Sequence, residues 1–240
     1  MAIYDHSEQE QLDAIKSWWH HYGNRVLNTL LFLSLLVLLG LGWNWYQRKQ
    51  ATEAADIFTV LQLAASKGDQ HQVKKLAGNL ITKFGGTTQA QLGAMIAARL
   101  MHADQDMKTA KAQLTWVIDN AEGELLDSAR LNYAAVLLDD KAYAEALKVL
   151  SQAHGDAYNA SFAQLRGDIL AAEGKPEEAR AAYEAAIAAM DASRDAIEAQ
   201  WASEAEKAND TSLSNAADNA SENPARQLLR RKLNALGPAG

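Results

Sequence analysis

The six histidines, His6, His20, His21, His71, His102 and His154, are the residues best able to hold a metal ion or pass a proton. No two form a His-x-x-x-His pair, the spacing that sets two imidazoles on one helix face around zinc. Gly85-Gly86-Thr87-Thr88 has the glycines of a phosphate cradle. It lacks the lysine and the preceding strand, and it follows a helical pattern, so it reads as a helix stop and turn. Glu177 and Glu178 could be taken for an acid–base pair. They lie in a first helical turn behind Pro176, where carboxylates complement the helix dipole. No G-x-S-x-G elbow occurs, and cysteine is absent. A thiol nucleophile, a thiolate zinc site, a disulfide framework and a lipoprotein anchor are all excluded by that absence. The expectation is a protein that is not an enzyme and needs no cofactor or metal. A net charge of −7 and a pI near 5.4 argue against general binding of nucleic acid, which needs a basic face.

The elements that carry these residues are helical. Alanine accounts for 47 of 240 residues, while the three prolines (Pro176, Pro224 and Pro238) all lie beyond residue 175. Such a composition favours helices packed closely through small side chains. Residues 26–46, VLNTLLFLSLLVLLGLGWNWY, contain no charge. A helix of that length spans about 31 Å, the thickness of a bilayer's hydrocarbon layer. Trp18, Trp19 and Tyr22 precede it, and Trp43, Trp45 and Tyr46 close it, as in an interfacial aromatic belt. A cleaved signal peptide would start short and basic and end in small residues. Here 25 residues with an acidic balance come first, and Trp43-Asn44-Trp45-Tyr46 ends the run, so the segment is expected to remain as an anchor in the lipid bilayer. Lys16 and Arg25 on one flank balance Arg48 and Lys49 on the other, and the positive-inside rule gives no orientation. Ahead of the span, Ser7-x-x-Glu10 reads as a capping box for a short amphipathic helix bearing Leu12, Ile15, Trp19 and Tyr22. That helix would rest on headgroups or dock a cytoplasmic partner.

Beyond the span the chain is periodic. Gly167, Leu170, Gly174, Ala179, Tyr183 and Ala186 have the spacing of a tetratricopeptide hairpin, two antiparallel helices with small residues where they cross. Gly174-Lys175-Pro176 supplies the turn. Stepping back from Ala179 leads to Ala146, then Ala110, then Val73, each among apolar residues at matching offsets. Four hairpins are expected over residues 52–189, stacked because none can bury its apolar face alone. A separate helix is expected from Ser193 to about Lys207. The all-α organisation is therefore a tail (1–25), a single transmembrane helix (26–46), a tetratricopeptide-like helical-hairpin solenoid (47–207), a polar disordered linker (208–223) and a basic terminal helix (224–240). Leu228, Leu229, Leu233 and Leu236 form the apolar side of that last helix. Arg226, Arg230, Arg231 and Lys232 make it basic. It would cap the open end of the stack, or bind an acidic partner or anionic lipid.

The first helices of such hairpins line a concave face that takes extended peptides or partner helices. The register nominates Phe58, Gln62, Leu92, Met95, Arg99, His102, Leu131, Leu138, Gln164 and Asp168. Leu92 and Leu131 are read first as packing between hairpins, and Trp116, on a second helix, as core. Methionine and leucine suit a tolerant apolar surface, and Arg99 could hold a carbonyl or carboxylate.

The opening MAIYDHSEQEQLDAIKSWWHHYGN, the span closed by Trp45-Tyr46 and the alanine-rich hairpins resemble the ancillary SecYEG translocon subunit family, the YfgM-type proteins. The resemblance covers residues 2–190 and the final helix, and its most specific parts are Ile3-Tyr4 and the span's aromatic end. The chain departs from it in the polar stretch 209–223. The resemblance implies a bacterial inner-membrane protein with a cytoplasmic tail and periplasmic repeats. It implies association with the SecYEG channel and with a membrane-anchored periplasmic chaperone of the peptidyl-prolyl isomerase type. It also implies help in handing secreted proteins to periplasmic chaperones, with regulation through the tail, and it carries over no catalytic residue. The competing reading is a cytoplasm-facing scaffold with the same anchor and repeats, serving pilus assembly or division.

Overall fold

A computed structural model describes residues 4–208 and 224–237. Within them the regular structure is helical throughout. The helices are α1 (Tyr4–Ser66), α2 (Gln70–Phe84), α3 (Thr88–Ala103), α4 (Met107–Asn120), α5 (Gly123–Asp139), α6 (Tyr143–Leu150), α7 (Asn159–Ala172), α8 (Pro176–Ala208) and α9 (Pro224–Ala235). A single 3-10 turn, Asp156–Tyr158, precedes α7. The chain divides into two compact units, Met1–Ala55 and Asp56–Gly240.

In the first unit α1 is helical from Tyr4. Ser7 therefore lies inside the helix, and the expected capping box at Ser7 and Glu10 does not mark its start. From Leu27 to Tyr46 the large apolar side chains stand exposed, and none of the most apolar stretch is buried within the protein. A core helix of a soluble domain would be covered by its neighbours. This one is long and apolar enough to cross a membrane, and lipid is the solvent its surface suits. Trp18, Trp19 and Tyr22 cluster at one end with tilted rings about 6 Å apart, and Trp43 and Tyr46 do so at the other. Arg25 sits over the Tyr22 ring and Lys49 over the Trp45 ring, cations held beside the aromatics at both ends.

In the second unit the chain reverses four times by one device. Gly68, Gln105, Lys141 and Gly174 each adopt a left-handed φ between 59° and 84°. The next residue then donates its amide back to a helix carbonyl: Asp69 to Ala64, Asp106 to Met101, Ala142 to Leu137 and Lys175 to Leu170, at 2.8–3.0 Å. This is the closing bond of a Schellman motif, and it satisfies carbonyls that the helix end leaves free. Each acceptor lies nine residues before one of the repeat positions read from the sequence, Val73, Ala110, Ala146 and Ala179. Asp69 and Asp106 then cap the following helices, accepting from the Gln72 and Thr109 amides.

Small residues set the packing between helices. A Cβ on Gly167 would fall 2.5 Å from the Tyr183 ring, and one on Gly93 would fall 2.8 Å from Leu80. Buried clusters run along the stack. Ala98, Met101, Ala110, Leu114 and Val136 join α3, α4 and α5. Ala134, Leu137, Ala146, Leu150, Phe162 and Ile169 join α5, α6 and α7. Trp116 is half-buried against the neighbouring cluster of Ala94, Val117, Ala121 and Ala129.

Two expectations are corrected. No separate helix begins at Ser193, because α8 continues unbroken to Ala208. No glycine or proline interrupts that stretch, and the Ser193 hydroxyl bonds back to the Ala189 carbonyl instead of capping a new helix. Leu228 does not join the packed side of α9 but is exposed; Leu229 is fully buried, with Leu233 and Leu236 packed beside it. The expected linker, beyond Ala208, lies outside the described residues.

Candidate partner-binding groove

Helices α3 and α5 build the groove because each has two usable faces. Thr87 starts α3, its hydroxyl accepting from the Ala90 amide and donating to the Phe84 carbonyl. Ala90, Ala94, Ala97, Ala98 and Met101 then turn inward. Met95, Arg99 and His102 follow on the other side at helical spacing. On α5 the buried set is Asp127, Ala129, Ala134, Val136 and Leu137, which turns Asn132 and Ala135 toward α3.

Between them lies a cleft of about 40 Å³, lined by Met95, Arg99 and His102 on one side and by Asn132, Ala135 and Val136 on the other. Ala98 and Leu114 form its floor. A space of that size holds little more than one water, so it offers shallow anchoring to a chain lying across it and engulfs no large side chain. His102 Nε2 meets Asp139 Oδ2 at 2.7 Å, tying α3 to α5 at the cleft's end. Arg99 is exposed and makes no ion pair among the described residues, leaving its guanidinium available to an acceptor. Nearby, burial raises the Tyr133 phenol above its usual range, and its bond to Glu145, 2.9 Å away, adds to the shift. Among the described residues no group of three His, Asp or Glu side chains could hold a metal ion.

The structure brings Met95, Arg99 and His102 into one cleft. The other nominated residues lie elsewhere. Gln62 and Leu92 are exposed, and Phe58 and Gln164 half-buried. Leu131 and Leu138 are drawn into the α5–α7 core. Asp168 is not open to a partner. It accepts the Tyr183 hydroxyl at 2.8 Å and the Lys232 ammonium at 2.6 and 2.8 Å. Four groove residues on α5 escaped the sequence reading: Asn132, Ala135, Val136 and Asp139. The signal for Asn132 and Asp139 was a polar residue one position on from each of the leucines chosen, Leu131 and Leu138. The aromatic residues nominated for a membrane interface (Trp18, Trp19, Tyr22, Trp43, Trp45 and Tyr46) are all exposed in the first unit.

These features define a solenoid of stacked helical hairpins with one further stretch of helix fit to cross a membrane. The chain belongs to the tetratricopeptide repeat-like domain family, whose profile matches residues 16–203. It is similar to proteins named ancillary SecYEG translocon subunit, the family the sequence resembles. The Neisseria gonorrhoeae relative is 28% identical over 189 residues, covering 76% of this chain and 88% of that protein. The Haemophilus influenzae relative is 26% identical, covering 76% and 90%. The Escherichia coli relative is 27% identical over 198 residues, covering 78% and 90%. No solved structure matches the chain.

Proposed function

We propose that this protein is a non-enzymatic ancillary subunit of the SecYEG translocon, anchored in the bacterial inner membrane by α1. Its amino-terminal tail lies in the cytoplasm and its repeats in the periplasm. There it works with a membrane-anchored chaperone of the peptidyl-prolyl isomerase type and passes secreted proteins toward periplasmic chaperones. The observation that carries this reading is the extent of the likeness. It covers 76–78% of this chain and 88–90% of three relatives bearing that name, beside a family profile that matches residues 16–203. The α3–α5 groove supplies the means, with Met95 as an adaptable wall over an apolar floor of Ala98 and Leu114, and Arg99 as a point for a backbone carbonyl or carboxylate.

The test is co-purification from detergent-solubilised membranes. Wild-type protein is expected to bring down SecYEG channel subunits and the isomerase-type chaperone. Met95→Glu combined with Arg99→Glu should reduce the chaperone at least fivefold without changing helical content or melting. Unchanged recovery of the chaperone would remove the groove from the mechanism. Absence of the channel from the wild-type preparation would sink the translocon role itself.

A further inference from the structure

Helix α9 is seated on α7 and α8 through one buried leucine and a set of charged contacts. It runs antiparallel to α8, with Arg226 against Asp191 at 2.8 Å and the carbonyl of Gly237 against Arg180. Lys232 reaches Asp168 on α7 and lies over the Tyr183 ring. One side chain, Leu229, is buried completely, among Leu170, Ala179, Tyr183 and Ala186. The seat therefore recognises a definite pattern: a helix with apolar residues at i, i+4 and i+7 and a cation at i+3, facing an apolar floor and two aspartates.

Two features of the seat bear on exchange. The Nε atoms of Arg180 and Arg226 are buried at this contact without a hydrogen-bond partner, so both guanidinium groups are incompletely satisfied. Asp168 also keeps its bond from Tyr183 if Lys232 departs, so removal of α9 does not strand that carboxylate. From Asp191 to the end of α8 at Ala208 is roughly 25 Å of helix, and 15 residues separate α8 from α9 in the sequence. A helix joined in this way competes with a free one through its effective concentration.

We propose that the outer face of α7–α8 is a docking site for basic amphipathic helices of partner proteins, and that α9 is its resident competitor. The site lies apart from the α3–α5 groove, and the proposal does not depend on the translocon reading.

The probe is a fluorescent synthetic peptide of residues 224–237, titrated into the full-length protein in nanodiscs. Leu229→Asp and, more gently, Lys232→Glu evict α9 while leaving the site intact. Either variant is expected to bind the peptide at least tenfold more tightly than wild type. Adding Asp168→Asn to Leu229→Asp should reverse several-fold of that gain. Equal binding by wild type and both variants, or binding by none, overturns the proposal. Loss of the whole helical signal in both variants overturns it too, since α9 would then be an inseparable part of the fold.

Discussion

Gly167 and Tyr183 meet where α7 crosses α8, and nothing larger than hydrogen fits between them. Gly167→Ala should destabilise the repeat unit by about 1–3 kcal/mol, because the ring must move out of a packed position. Thermal melting of the variant checks this, and a gain in stability would contradict it. Asp106 gives an acid-side prediction. Hydrogen bonds from Thr109 hold its carboxylate below its ordinary value of 3.8, with a further contribution from Lys74. A lowered folded value means that its stabilisation is complete above pH 3.8 and is lost as pH falls below it. Protection of the Thr109 amide, its exchange relative to an unstructured peptide at the same pH, should therefore fall on acidification below pH 4, and Asp106→Asn should remove that dependence. The alanines and glycines at helix crossings were legible from the sequence because only small residues allow such approach. Asn132 and Asp139 were not, because the rotation of α5 about its own axis decides which neighbours of Leu131 and Leu138 face the cleft. That rotation follows from packing against α4 and α7 rather than from α5 alone.

The hairpin turns carry the clearest message among the elements. Two of the four left-handed positions hold glycine, as the turn requires, but Gln105 and Lys141 occupy the other two. A side chain in that conformation costs about 1 kcal/mol or more. Gln105→Gly and Lys141→Gly should each raise stability by roughly that amount, and Gly174→Ala should lower it comparably. Differential melting of the three variants tests the set, and a destabilising Lys141→Gly would show that the strain is not there. The repeats were readable through their apolar spacing, whereas these turns were not, since neither glutamine nor lysine advertises a left-handed backbone. The full length of α8 was hidden for the opposite reason. Ser193 looks like a cap, yet with alanine-rich helix on both sides no signal stops the chain there.

For the whole molecule, orientation across the membrane decides which partners the groove can meet. The chain contains no cysteine, and Ser161 is exposed on α7, so Ser161→Cys creates a single reporter in the repeats. A thiol reagent that passes the outer but not the inner membrane should label it in intact cells. Labelling only after inner-membrane lysis would place the repeats in the cytoplasm and favour the scaffold alternative. The seat of α9 has a further consequence, in time. Contacts in the stack join each helix to the next or the next but one, α2 with α3, α3 with α4 and α5, α5 with α6 and α7, while α9 returns to α8 and α7 only after the stretch that follows α8. A polypeptide delivered from its amino terminus can close these hairpins in order of arrival. The outer face of the α7–α8 pair stays bare until the stretch that follows has also been delivered. Synthesis itself thus sets a delay between completion of that hairpin and the covering of its surface.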